Sequence, residues 1–146
     1  MGKFVTTTHY VDANLFHDIM TGRSVTGILH LINKTPFDWY SKKQATCETA
    51  TYGSEFVSAR TCTEQFMDIH NTLRYLGTPL REKCFMFGDN ESVVNSASIP
   101  HAKLHKRHIA LSFHRVSEAI AAGVMQFRFL TGEDNPADML SNHWGY

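Results

Sequence analysis

Cysteine is scarce: Cys47, Cys62 and Cys84 are the only three in 146 residues, and no two of them share C-x-x-C spacing. An odd, scattered trio argues against a disulfide framework or a thiolate zinc site and fits a reducing compartment. Net charge is also missing, since 14 Lys and Arg balance 14 Asp and Glu. A free-standing, tight nucleic-acid binder normally carries a basic excess, because phosphate neutralisation supplies most of its affinity. A module delivered to its target by something else does not need one. No apolar run approaches the ~20 residues of a membrane span, and no signal-peptide core lies near the start. The expectation is a soluble, intracellular protein without a membrane partner.

What is present looks globular: 42% hydrophobic and 12% aromatic residues are enough for one core, and 146 residues suit one domain. Phe4 follows almost directly on the start and opens the first strand-like run, as if the domain were excised from a longer chain. Runs from Phe4 to Ala13, Val25 to Ile32 and Phe37 to Ser41 have strand composition, separated by a loop from Asp18 to Arg23 and a turn from Asn33 to Pro36. This predicts an antiparallel meander. The period then changes. Phe56, Ala59, Thr63, Phe66, Met67, His70 and Leu73 recur at steps of three and four, which predicts a helix from Ser54 to Leu76 ended by Gly77-Thr78-Pro79. A strand from Cys84 to Phe87, a short helix from Glu91 to Ala97, a helix from His105 to Ala122, a strand from Val124 to Leu130 and a last helix from Asn135 complete the chain. The order βββ-α-β-α-α-β-α points to an α/β fold with a single sheet.

Four acids stand at special places in that order. Asp12 interrupts an apolar strand, where a carboxylate is costly unless paired or metal-bound. Glu55 falls at the start of the long helix, Asp89 ends the fourth strand, and Asp138 begins the last helix. Strand ends and helix starts beside one sheet can converge, and an oxygen-only donor set suits a hard cation such as Mg²⁺ or Mn²⁺. Each acid alone has a plainer account. Glu55 would complement a helix dipole, and Asp138 could decorate a first turn beside Pro136.

The motifs Tyr10–Asn14 (YVDAN), Thr21–Gly27 (TGRSVTG), Trp39–Gln44 (WYSKKQ), Gly53–Ala59 (GSEFVSA), Phe87–Asn90 (FGDN), Lys106–His114 (KRHIALSFH) and Asn135–Leu140 (NPADML) occur in order. Together they resemble the ribonuclease H domain of copia-type LTR retrotransposons, in the reverse transcriptase part of their polyprotein. The resemblance implies a ribonuclease H-like fold, a mixed five-stranded sheet flanked by helices. It also implies cleavage of the RNA strand of RNA–DNA hybrids by two Mg²⁺ ions, with Mn²⁺ as a substitute. Asp12, Glu55, Asp89 and Asp138 match the family's catalytic, metal-binding acids; Glu48 competes with Glu55, and the Lys42-Lys43-Gln44 anchor favours Glu55. Arg23, Ser24, Lys42, Lys43, Gln44 and Asn90 match hybrid-contacting positions, although the lysines also read as a solvated loop. Upstream reverse transcriptase and integrase segments are the implied partners. A cytoplasmic virus-like particle with a nuclear phase is the implied location.

There are departures too. Thr131–Pro136 holds no His where cellular ribonucleases H carry one, no basic protrusion follows the long helix, and Ser117 and Asn142 replace basic residues of close relatives. These favour weak activity in isolation and leave open a second reading, an inactive remnant kept as a docking module. His101, His105, His108 and His114 have partial helical spacing but lack the further donors of a zinc site. With Lys103, Lys106 and Arg107 they read more simply as a basic segment touching phosphate or a neighbouring domain. Phe37, Trp39 and Tyr40 suit either base stacking or a core strand.

Overall fold

The computed structural model describes residues 4–18, 20–47, 51–81, 83–98 and 109–142. Strand β1 (Thr7–Asp18) pairs antiparallel with β2 (Arg23–Ile32), and β2 pairs antiparallel with β3 (Thr35–Lys43). Helix α1 (Thr51–Tyr75) leads to β4 (Cys84–Gly88), which runs parallel to β1. Helices α2 (Glu91–Ser98) and α3 (Ala110–Ala121) precede β5 (Met125–Phe129), parallel to β4, and the four-residue α4 (Asp138–Ser141) follows. The sheet order is β3-β2-β1-β4-β5, a mixed five-stranded sheet.

The element order is the one the sequence predicts; the boundaries moved where pairing outweighs local propensity. β1 runs on past Ala13 because β2 stays beside it as far as the Asp18–Arg23 pair. The β2–β3 turn narrows to Asn33 and Lys34, both at positive φ (50° and 68°), the left-handed pair a two-residue hairpin needs. Thr35 and Pro36 therefore join β3, an edge strand where a missing N–H is harmless. Phe37 and Trp39 on that edge are 53% and 68% exposed, so only Tyr40 of the three aromatics packs against the core. Ser54 lies inside α1, its hydroxyl donating to the Thr51 carbonyl at 3.0 Å, so it does not cap the helix.

Alternation along the strands sends His9, Val11 and Ala13 of β1, and Thr26, Ile28 and His30 of β2, toward α1. Phe56, Ala59, Cys62 and Phe66 of α1 meet them, and Ile109, Phe113 and Val116 close the core with Met86 and Phe127. Phe56 and Phe66 are fully buried, each worth about 1.5–3 kcal/mol of transfer free energy. On the other face, α4 lies so close to β2 that a Cβ at Gly27 would come 2.7 Å from both the Ala137 carbonyl oxygen and the Ser141 nitrogen. Only glycine fits under that turn. Asn135 Nδ2 donates to the Val11 carbonyl at 3.0 Å, and Ser41 Oγ to the Leu140 carbonyl at 2.6 Å, fixing the last turn to the sheet.

Candidate active site

Tyr10 lies beside Phe87 in the parallel β1–β4 pair. Two residues farther along each strand, Asp12 and Asp89 stand at the point where β4 ends. Glu55 reaches the same place from the second turn of α1. One carboxylate oxygen from each of Asp12, Glu55 and Asp89 lies within 4.8 Å of the others. Asp138, the exposed first residue of α4, lines the same cavity of about 360 Å³, together with Asn14, Asn90 and Asn142. The structure thus brings all four predicted acids to one cavity, three in a tight cluster and the fourth at its rim. Glu48, the competitor of Glu55, lies outside the described residues.

Burial and like charge dominate the electrostatics. Asp12 is 4% exposed, and its carboxyl is raised to about 7: burial acts first, and Asp89 and Asp138 add repulsion, against a hydrogen bond from Ser141 that lowers it. Glu55 is pushed well above its usual range by burial, then by the charges of Asp89 and Asp12, with the Ala13 backbone N–H opposing. Asp89 is raised as well, again by burial first. Among the described residues, the groups that act most strongly on these three carboxyls include no basic side chain. Clustered, desolvated acids without a cation are a costly arrangement unless something positive neutralises them. An all-oxygen donor set of this kind fits a hard divalent cation.

The remaining predicted contacts divide. Asn90 lines the cavity, and its Oδ1 accepts the Val93 N–H at 3.2 Å, which caps α2. Arg23 is exposed at the head of β2. Lys42 and Lys43 are exposed at the end of β3 and line a different cavity of about 430 Å³ with Arg60 and Leu111. Ser24 and Gln44 are buried, at 0% and 4% exposure, so Gln44 lines that cavity with little surface of its own. Gln44 instead bolts β3 to α1: its Nε2 donates to the Ser54 carbonyl at 2.9 Å and lies 3.1 Å from the Ser58 hydroxyl. A basic run at a strand end does not reveal which of its side chains turns inward.

Two features were not read from the sequence. Ser141 donates its hydroxyl proton to Asp12 Oδ2 at 2.5 Å; the available signal was its i+3 position from Asp138, which puts both on one side of a single turn. The second is a buried imidazole group, His9, His30 and His70, on the far side of β1 with Cys62 and Cys84 alongside. No motif announces it. His101, His105 and His108 lie outside the described residues, and His114 is exposed on α3.

No protein-family model matches the chain. In sequence it is 26% identical over 134 residues to the retrovirus-related Pol polyprotein from transposon TNT 1-94 of Nicotiana tabacum, covering 90% of this chain and 10% of that protein. It is 24% identical over 140 residues to the Pol polyprotein from transposon RE2 of Arabidopsis thaliana, covering 96% of this chain and again 10% of the other. The chain therefore spans about a tenth of these curated relatives. In structure it superposes on RNase H1 from the archaeon Halobacterium salinarum NRC-1 with a TM-score of 0.70 at 13% identity, over 94% of this chain and 95% of that one. LC11-RNase H1 in complex with an RNA/DNA hybrid gives 0.70 at 14% identity, over 92% and 93%. The foamy viral protease-reverse transcriptase in complex with an RNA/DNA hybrid gives 0.66 at 12% identity, over 93% of this chain and 19% of that one. The chain has the ribonuclease H fold and is similar, along nearly all of its length, to one segment of copia-type retrotransposon Pol polyproteins.

Proposed function

We propose that this chain is the ribonuclease H segment of a copia-type retrotransposon polyprotein and hydrolyses the RNA strand of RNA–DNA hybrids. The observation that carries the reading is the convergence of Asp12, Glu55 and Asp89 on one cavity, with Asp138 at its rim and no basic group among the described residues that act most strongly on the cluster. Two Mg²⁺ ions, or Mn²⁺ in their place, would be held by these four carboxylates. Bound there, the ions supply Lewis-acid stabilisation to an in-line phosphodiester displacement that leaves a 3′-hydroxyl and a 5′-phosphate.

The chain's own groups do the rest. Asp12, Glu55 and Asp89 hold the site's negative charge at a fixed place, so the cation set is ordered before substrate arrives. Asn90 has its carbonyl oxygen committed to Val93; its amide Nδ2 is the donor left for a ribose 2′-hydroxyl, the group that separates RNA from DNA. Arg23, Lys42 and Lys43 supply exposed positive charge for the backbone of the duplex. Hybrid as substrate is supported by the two structural neighbours solved with one. Zero net charge supports weak binding by the segment alone and delivery by an upstream reverse transcriptase; integrase in the same polyprotein and action inside a cytoplasmic particle with a nuclear phase follow from the retrotransposon reading alone.

The test is cleavage of a hybrid 5′-labelled on its RNA strand, with and without Mg²⁺, by the chain and by Asp89→Asn. Metal-dependent cutting confined to RNA and lost in the variant is expected. Undiminished cutting by Asp89→Asn would sink the assignment. If the segment alone is silent, the same assay with the upstream polymerase fused separates a dependent nuclease from a docking remnant.

A further inference from the structure

Asp12 is, with Glu55, one of the two buried acids of the four, and a carboxylate on an sp³–sp² torsion rotates in a broad well unless something holds it. Ser141 does. Its Oγ donates to Asp12 Oδ2 at 2.5 Å, the length of a charge-assisted O–H···O⁻ bond. The contact is sealed, since Ser141 is 1% and Asp12 4% exposed. The same hydroxyl lies 3.0 Å from the Asp138 carbonyl oxygen, the ordinary acceptor for a serine at a helix end. One proton serves one acceptor well, and the shorter bond goes to the carboxylate. The hydroxyls of Thr61, Thr63 and Thr72 in α1, by contrast, bond only back to their own helix, at 2.8–3.0 Å.

The position of Ser141 adds to this. It closes the single turn that Asp138 opens, so one turn of helix presents both a site carboxylate and the hydroxyl that grips another. That turn is seated on Gly27, held by Ser41 at the Leu140 carbonyl and tied at its far end by Asn14 Nδ2 donating to Asn142 Oδ1 at 2.9 Å. Gly27 is the direct partner of Asp12 in the β1–β2 ladder. The backbone gap at Gly27 is thus what lets the hydroxyl reach across the sheet to Asp12.

We propose that Ser141 is a positioning residue of the carboxylate site: its hydroxyl fixes the orientation of the Asp12 carboxyl and sets α4, and with it Asp138, in register with the other acids. The catalytic consequence rests on the nuclease reading; the positioning itself does not. Removing the hydroxyl leaves the Asp12 carboxyl held only by its hydrogen bond with Asp89 and α4 held only by its flanking bonds, so cation binding weakens while the hybrid-binding surface is untouched. Ser141→Thr keeps the hydroxyl and should keep the function.

The experiment compares the full chain with Ser141→Ala and Ser141→Thr in three arms. In the first, Mn²⁺ alone is titrated by calorimetry. Ser141→Ala is expected to weaken binding about tenfold, the usual cost of losing a group that orients a metal-binding side chain, and Ser141→Thr to stay within about twofold. In the second, the Mg²⁺ concentration for half-maximal cleavage moves by the same factor while KM for the hybrid does not. In the third, run without metal, the ¹³C resonance of the Asp12 carboxyl and amide exchange over residues 138–142 both change in Ser141→Ala and return in Ser141→Thr. Unchanged Mn²⁺ affinity in Ser141→Ala, with only a lower Tm, would make the contact merely structural and overturn the proposal; so would an Asp12 resonance indifferent to the substitution. If the parent chain neither binds Mn²⁺ nor cuts, the nuclease reading falls, and the positioning role is decided by the metal-free arm alone.

Discussion

Two polar clusters are buried on the two faces of β1, only three residues apart in sequence. Around Asp12, three carboxyls share one place with no basic partner among the described residues, and each is raised by burial and by its neighbours' charge. Around His9, three imidazoles are linked end to end: His70 Nε2 to Thr7 Oγ1 at 2.6 Å, Thr7 Oγ1 to His9 Nε2 at 3.1 Å, His9 Nδ1 to His30 Nδ1 at 2.7 Å, and His30 Nε2 to Gln65 Oε1 at 2.8 Å. One assignment of protons satisfies the whole chain with every ring neutral. His70 donates to Thr7, Thr7 to His9, His9 to His30 and His30 to Gln65. Both ring nitrogens of His9 and of His30 are thereby used, so although the cluster has metal-like spacing with Cys62 and Cys84, its partners are already inside the protein. The histidine cluster is closed and self-sufficient; the acid cluster is open to a cavity and incomplete. Uncompensated polarity at a cavity marks where a ligand belongs, and compensated polarity under a helix marks architecture.

The sharpest way to break that contrast is to remove one member from each side. Asp12→Asn should lower hybrid cleavage by about 10²-fold or more, a loss of several kcal/mol at the reacting phosphate. It should at the same time raise the metal-free Tm, because one repelling charge is gone. A variant that is both inactive and less stable would mean that the acids are compensated after all. His30→Ala should do the reverse. It strands His9 Nδ1 and Gln65 Oε1 and leaves a cavity, at a cost of about 2–4 kcal/mol in chemical denaturation. Cleavage per folded molecule should be unchanged; a selective loss of activity would draw the histidines into the reaction.

A smaller effect separates the clusters by pH. The folded-state pKa of Asp12 is raised to about 7, with Glu55 and Asp89 raised as well. Their protonated forms favour the fold, so this contribution is complete below the ordinary value near 4 and is lost as pH rises toward 7. His9, His30 and His70 are lowered, chiefly by burial. Their neutral forms favour the fold, and that contribution is complete above 6.5 and is lost as pH falls through the depressed values. Metal-free melts from pH 4.5 to 8 should therefore lose Tm on the alkaline side through the acids and on the acidic side through the histidines. Mg²⁺ should restore only the alkaline limb, and Asp12→Asn should flatten that limb alone. An alkaline limb indifferent to both would remove the electrostatic account of the site.

Much of this was legible from the chain itself. Helical periodicity placed Phe56, Ala59, Phe66 and His70 on the face of α1 that is buried, and strand alternation with an intruding acid singled out Asp12. The fold could be named because ordered motifs recur at a family spacing, even though the identity to solved ribonucleases H is only 13–16%. That Gln44 and Ser24 are buried was not legible, because a basic, polar strand end looks alike whether its side chains face water or α1. Residues 48–50 and 99–108 lie outside the described structure, so Glu48 and the basic His-rich segment keep their sequence reading only.

By itself the sequence determined the order of elements and the buried face of α1, and it singled out four acids as candidates, because periodicity, propensity and motif spacing are local properties written along the chain. Only the tertiary structure decided which face of β1 each polar residue joins in practice, and with whom. Asp12 meets Ser141 across 129 positions and His9 meets His30 across 21. The first contact depends on the close seat of α4 at Gly27 and the second on the β1–β2 register that pairs the two residues, and both are set by packing between segments remote in sequence.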